Sequence, residues 1–336
     1  MRHYLSENTS RKLRFAAILC FSAVATAFAG AAFGLARTEV YQATTHLADR
    51  SDAALATAFQ AALKIVLIRV TGRRTAGEDA ALAPLLGNAR RYVQQYRGAP
   101  DNQVWVAFDG PAIERWLTQN GQPLWGRDRP VTLVWLTAPG AAQGTTVLTV
   151  DDKSELKDAV SSAADVRGIP LMWPTAAAAA EASSNPSPAA VSDLAHRLGA
   201  EGVLTGRATN TSATAAVRWT LQFQDRSSEF SGTLDGVNRA ADLYAGLYAA
   251  SGTLAPVDIE VAGVMDTHDY AGVQSYLESL TFVSRVSVQG LSGDTVRFRL
   301  TTRGGIEPLQ HAIALSGRLQ PLPAGDNGIQ RFQLHR

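Results

Sequence analysis

The densest group of chemically useful side chains lies between Gly121 and Leu136. Trp125, Arg127, Asp128 and Arg129 fall within one short string, framed by Pro123, Gly126 and Pro130. An indole face stacks on sugars, and guanidiniums grip carboxylates, so the string reads as a platform for a glycan or a peptide. Binding side chains are often carried on such loops. The same residues also suit a core, with Trp125 packed inside and Arg129 holding backbone carbonyls or Asp128 in a rigid turn. Four of the six tryptophans fall between Trp105 and Trp135. Trp116 and Trp135 sit on elements that the apolar pattern packs, which tilts the whole segment towards structure.

Other groups reduce to simpler roles. Ser154 and Lys157 have the S-x-x-K spacing of a penicilloyl-serine site, but no lysine is followed by Thr-Gly or Ser-Gly. Ser154 reads instead as a helix cap, and so does Asp266 or Thr267, beside His268 and Asp269. His46, His196, His311 and His335 are isolated. The chain has no H-E-x-x-H, no G-x-S-x-G and no Walker or dinucleotide glycine motif. No catalytic residue, metal ligand or cofactor is therefore assigned.

The elements that position these residues follow a leader. Met1 to Arg14 carries Arg2, Arg11, Lys12 and Arg14 against Glu7, and Phe15 to Ala36 is free of charge. A basic start, an apolar run and small residues at its close describe an export signal. The run is also long enough to anchor the chain in a bilayer. Either way the remainder faces the periplasm, soluble after cleavage or tethered by residues 15–36. The one cysteine, Cys20, lies inside this run. Cleavage beyond it leaves no thiol for disulfides, catalysis or zinc. Without the leader's four basic residues and one acid, 27 basic and 29 acidic residues remain. That balance excludes a general phosphate-binding surface, so no nucleic acid is expected as a partner.

Three blocks follow, residues 38–137, 146–253 and 256–336. In the first, Glu39 to Leu47 and Gln103 to Phe108 read as strands. Ser51 caps a helix that runs to about Val70, apolar on two sides and stopped by Gly72. A helix occupies part of Ala80 to Tyr96. Another starts at Pro111, and Val131 to Leu136 is a continuous apolar, central strand. In the second block a helix from Ser154 precedes a low-complexity loop at residues 175–189. The strand Gly202 to Arg207 follows, then Val217, Trp219, Leu221 and Phe223 alternate with polar residues. The third block runs βαββαβ plus a last strand, the order of a split βαβ (ferredoxin-like) sandwich. The fold class expected is α/β and α+β, two α/β modules followed by the split βαβ module.

Val70-Thr71-Gly72, Phe108-Asp109, Ile113, Trp116-Leu117, Pro123 to Pro130 and Leu133-Val134-Trp135-Leu136 together resemble a bacterial family, domain of unknown function 2066. The resemblance spans most of the chain beyond the leader. It implies an envelope location and carries no activity. Leu198 to Gly206 is similar to the helix–strand step of small α/β modules in periplasmic assembly factors, which implies a protein-docking second block. The leading expectation is a non-enzymatic binding or scaffold protein of the cell envelope with envelope proteins as partners. It touches the membrane only through an uncleaved leader. The competing expectation is a glycan- or peptide-binding protein or hydrolase that uses Trp125, Arg127, Asp128 and Arg129.

Overall fold

A computed structural model of the chain describes residues 36–140, 144–182, 186–325 and 328–335. The leader, and Cys20 with it, lies outside them, as do residues 183–185 of the low-complexity loop. The chain is a mixed α/β fold built on three main sheets.

The first sheet forms around one long helix. Strand β1 (Ala36–Arg37) leads into β2 (Gln42–His46) and α1 (Asp52–Thr71). The Ser51 hydroxyl accepts from the Ala54 N–H at 3.1 Å, and Gly72 ends the helix at φ 72°. That left-handed conformation suits glycine, and a Cβ there would also strike Ala245 of a later helix. Helix α1 is long and apolar enough to cross a membrane by length and composition. Its Phe59, Leu63, Val66, Leu67 and Val70 nevertheless pack into a core with Val104, Val106 and Phe108. Two short helices follow, α2 (Ala83–Gly87) and α3 (Ala89–Tyr92), then β3 (Val93–Ala99), β4 (Gln103–Phe108) and α4 (Gly110–Gln119). The sheet order is β2-β4-β3, all antiparallel. Helices α2 and α3 occupy part of Ala80 to Tyr96 as expected, and strand β3, which the sequence did not mark, follows from Val93. It is an exposed edge strand without alternating apolar residues, so period-two patterning has nothing to mark.

The second sheet takes β5's continuation. After β5 (Asp128–Arg129) come β6 (Thr132–Pro139), β7 (Thr145–Val147), α5 (Glu155–Arg167), β8 (Leu171–Met172), α6 (Ala176–Glu181) and α7 (Pro188–Leu198). Then follow β9 (Gly202–Ala208), β10 (Val217–Phe223), β11 (Arg226–Ser231) and α8 (Asp235–Tyr248). The order is β11-β10-β9-β6-β7, with β8 also on β6. Strand β6 is buried along its length, as a continuous apolar run requires. It is central as expected, but in the second sheet: the boundary read at residue 137 assigned it to the first block. Helices α5 and α8 cover one face, over Val134, Leu136, Leu204, Trp219 and Leu221. Part of the low-complexity stretch is the helix α6, capped by Thr175.

The third sheet comprises β12 (Leu254–Ala262), β13 (Val283–Ser292), β14 (Thr295–Arg303), β15 (Leu319–Leu322) and β16 (Gln330–Leu334), with α9 (Thr267–Ser279) and α10 (Glu307–Ser316). Its order is β13-β14-β12-β16-β15. The β12-α9-β13 crossover around β14 follows the expected split βαβ path. The last strand departs from it: β16 inserts between β12 and β15 and runs parallel to β12. Phe332 on β16 is buried beside Val261, whereas Pro321 on β15 lacks an N–H and suits the edge.

Charged side chains tie the first sheet's helix to the second layer. Arg69 donates to the carbonyls of Asp165 and Gln42, at 2.6 and 2.5 Å. Arg167, buried at the end of α5, donates to the Gly72 carbonyl at 2.9 Å and to Asp242 at 2.6 Å. Burial pushes its guanidinium below the ordinary value, and Asp242 opposes that. Arg74 reaches the second Asp242 oxygen at 3.1 Å. Removing the partner of a buried charge costs about 3–5 kcal/mol, less where water screens the carboxylate. Asp242 is 39 % exposed, so Asp242→Asn should lower stability by about 2 kcal/mol in urea unfolding. Arg74→Gln should cost under about 0.5 kcal/mol. Equal losses in the two variants would show that Arg167 does not depend on Asp242.

Candidate functional site

The Pro123–Arg129 segment is the joint of the fold. Extended residues point alternately to opposite sides, and here the two sides are different cores. Leu124 enters the cluster around α1, and Trp125 enters the cluster between α5, α8 and the second sheet. Gly126 faces the third layer, where a Cβ would meet the Thr281 hydroxyl at 2.6 Å. Backbone bonds fix the path: Trp125 N–H to the Val70 carbonyl at 2.7 Å, and Leu124 with Ala250 in both directions.

Trp125 and Arg129 are both 0 % exposed. The guanidinium lies 3.5 Å from the centre of the indole ring. Arg129 Nε donates to the Gly126 carbonyl at 2.6 Å, and Nη2 to the carbonyls of Arg69 and Trp125 at 3.0 and 3.1 Å. Burial drives its pKa well below the ordinary arginine value. The pair is a closed stack in the structure, as the core reading of the segment has it, and neither side chain offers a face for the open platform of the competing reading. Arg127 is half-buried, 5.0 Å from the centre of the Tyr41 ring. Tyr41 donates to Glu114 at 2.5 Å, and burial raises its pKa. Asp128, also half-buried, lines a cavity of about 30 Å³ with Trp125, Gly126, Tyr248, Tyr276 and Phe282, room for about one water molecule. The four residues are brought together by the chain itself, but not into one accessible site.

The caps read from sequence are in place. Ser154 accepts from Lys157 N–H at 3.2 Å, and Asp266 from Asp269 N–H at 2.8 Å. Among the described residues no group of three His, Cys, Asp or Glu side chains is placed to hold a metal ion.

A larger concavity lies elsewhere among the described residues. A cleft of about 1040 Å³ opens over the face of the second sheet turned away from α5 and α8. Helix α7 covers only part of that face, packing Val191, Leu194 and Ala195 on Leu133, Trp135 and Val203. The strand register sets the rest in rows. Thr137, Arg207, Arg218 and Ser231 are successive partners across β6, β9, β10 and β11. Trp135, Thr205 and Thr220 form the next row. Pro186, Ser187, Pro188 and Val191, at the start of α7, make a wall. Arg207 and Arg218 are exposed, Trp135 is buried, and its indole N–H has no hydrogen-bond partner. Polar alternation in Val217 to Phe223 marks Arg218 and Thr220 as outward. The pairing that sets Arg218 opposite Arg207 has no sequence signal.

Comparison with known families adds one finding. The model of a domain of unknown function (DUF8605) matches residues 35–126. The stretch covers the first sheet with α1 to α4, and it ends inside the joint at Gly126. It replaces the resemblance to domain of unknown function 2066, which rested mainly on the Pro123–Pro130 string: the family found is a different one and is confined to the first part of the chain. A search of curated proteins finds no match.

Proposed function

We propose that this chain is an exported cell-envelope protein that acts by binding other proteins, as a scaffold or assembly factor in the periplasm. Its organisation is read as two α/β modules followed by a split βαβ module. The export reading rests on the basic leader and the charge-free run from Phe15 to Ala36. The binding reading rests on the cleft over the second sheet. Its lining supplies hydroxyls, two guanidiniums and apolar side chains, a set that holds acceptors and anions rather than one that moves protons. The buried Trp125–Arg129 stack supports a structural role for the segment that a glycan or peptide platform would have used.

Cross-linking of intact envelopes, followed by recovery of the full chain, tests this. A reproducible protein partner that disappears when residues 1–36 are deleted is expected. Equal recovery of that partner with the leader deleted would refute the export reading, and recovery of glycan fragments alone would refute the scaffold reading.

A further inference from the structure

A strand at the edge of a sheet presents backbone N–H and C=O groups that a further strand can take up. The third sheet has two such edges, and they are built differently. Strand β15 is short and contains Pro321, both of which discourage pairing. Strand β13 runs for ten residues, Val283 to Ser292, without a proline or an acid, and Arg285 is its one charge. Near its end, Val288 lies opposite Phe298 and Leu291 opposite Val296. Phe298 and Val296 are buried in the core that α9 and α10 cover, so Val288 and Leu291 are on that same face of the sheet. The register shift between Val288 and Gly290 is what brings them to one side. Yet Val288 is 43 % exposed and Leu291 70 %. The core face therefore continues past the helices as an open apolar rim. Met265, also exposed, adjoins it, since Val264 donates to the Asp294 carbonyl in the β13–β14 turn.

The rim is complementary to itself. Set two copies of β13 antiparallel about an axis between Gln289 and Gly290. Val288 then meets Leu291 of the second copy, and Leu291 meets the second copy's Val288. In the same register Ser287 meets Ser292, and Arg285 comes beside Asp294 of the second copy. Arg285 and Asp294 are both exposed. The ion pairs of this sheet, Arg297–Glu260, Arg299–Asp258 and Arg331–Glu260, leave Arg285 out. The Asp294 carboxylate accepts from the Gly263 N–H and the Thr295 hydroxyl, and neither neutralises it. Apolar thus meets apolar, opposite charges meet, and no like charges face each other.

We propose that β13 pairs antiparallel with the β13 of a second copy of this chain. The two third sheets become one continuous sheet, with Val288 and Leu291 of both copies clustered at its centre. Such a two-fold contact uses the same edge on both copies and closes at the dimer. The pairing does not depend on the envelope or scaffold reading.

Sedimentation of the full chain reads the oligomer, in a non-ionic detergent that keeps the apolar run of the leader apart. The parent should be a dimer at about 100 µM and dissociate on dilution, as small interfaces do. V288K/L291K sets lysines opposite one another across the axis and should weaken the dimer at least about ten-fold. Both side chains are exposed, so circular dichroism should report an unchanged fold. V150K, at an exposed apolar residue away from this sheet, should associate as the parent does. Disulfide trapping reads the register. In a C20S background, a V288C chain mixed with an L291C chain should cross-link one to the other in preference to like with like, because only the unlike positions are directly opposite. A monomeric parent at about 100 µM, an undiminished dimer in V288K/L291K, an equal loss in V150K, or a preference for like-with-like disulfides would each overturn the proposal. So would a monomer whose β13 cross-links to a different protein in intact envelopes, since the edge would then take a foreign strand.

Discussion

Trp125→Ala should lower the unfolding free energy by about 4 kcal/mol, and Arg129→Ala by about as much. Arg129→Met should cost about 1–2 kcal/mol. The order follows from what surrounds the guanidinium. It is fully buried, three carbonyls accept from it, and no carboxylate is bonded to it. Its Nη1 and the Trp125 indole N–H have no partner. The charge itself is therefore costly here, and the stack on Trp125 and the carbonyl bonds offset it. Methionine removes the charge and keeps much of the packed stem. Alanine removes the stem as well and leaves a void beneath the indole, at the point where Leu124, Trp125 and Gly126 enter three different layers. Arg129→Lys should behave more like alanine than methionine, since one ammonium keeps the buried charge and does not reproduce the planar fork. Urea midpoints of the full chain decide the order. If methionine proved as damaging as alanine, the carbonyl bonds rather than the packed stem would dominate, and the account of the stack would be wrong.

What the sequence discloses and what it hides differ in a physical way. Local signals were legible because one segment contains both cause and effect: Ser51 and Gly72 bound α1, and Pro111 opens α4. Val217 to Phe223 alternates because one side of β10 is buried. The joint at Leu124–Gly126 was legible as unusual but not as a joint, since its three contacts come from parts of the chain distant in sequence. The edge strand β3 has no buried side to write a pattern, and β16 declares itself a strand without declaring where it inserts. The cleft was hidden for the same reason as the joint. Arg207 and Arg218 look like ordinary solvated residues until register makes them neighbours.

Trp219 gives the second large effect and a test of how the second core is fitted. It is fully buried, and its indole N–H donates to the carbonyls of Gly232 at 2.9 Å and Thr233 at 3.3 Å. Two glycines make its slot. Gly206 is its direct cross-strand partner, where a Cβ would lie 2.5 Å from the ring and 2.7 Å from Leu136. A Cβ on Gly236 of α8 would lie 2.6 Å from the same ring. Trp219→Ala should cost about 4 kcal/mol, through lost transfer energy and a cavity. Gly206→Ala should cost about 2 kcal/mol alone, by overpacking a rigid neighbour. Together the two should cost less than their sum by about 1–2 kcal/mol, since the clash disappears with the ring and the new methyl partly fills its space. Strict additivity in the double-mutant cycle would mean that the strand shifts to accommodate alanine and that the slot is not rigid. Sub-additivity would mean that Gly206 is required by the indole, so that a strand interior, where glycine is ordinarily a weakness, tolerates it as the counterpart of a tryptophan.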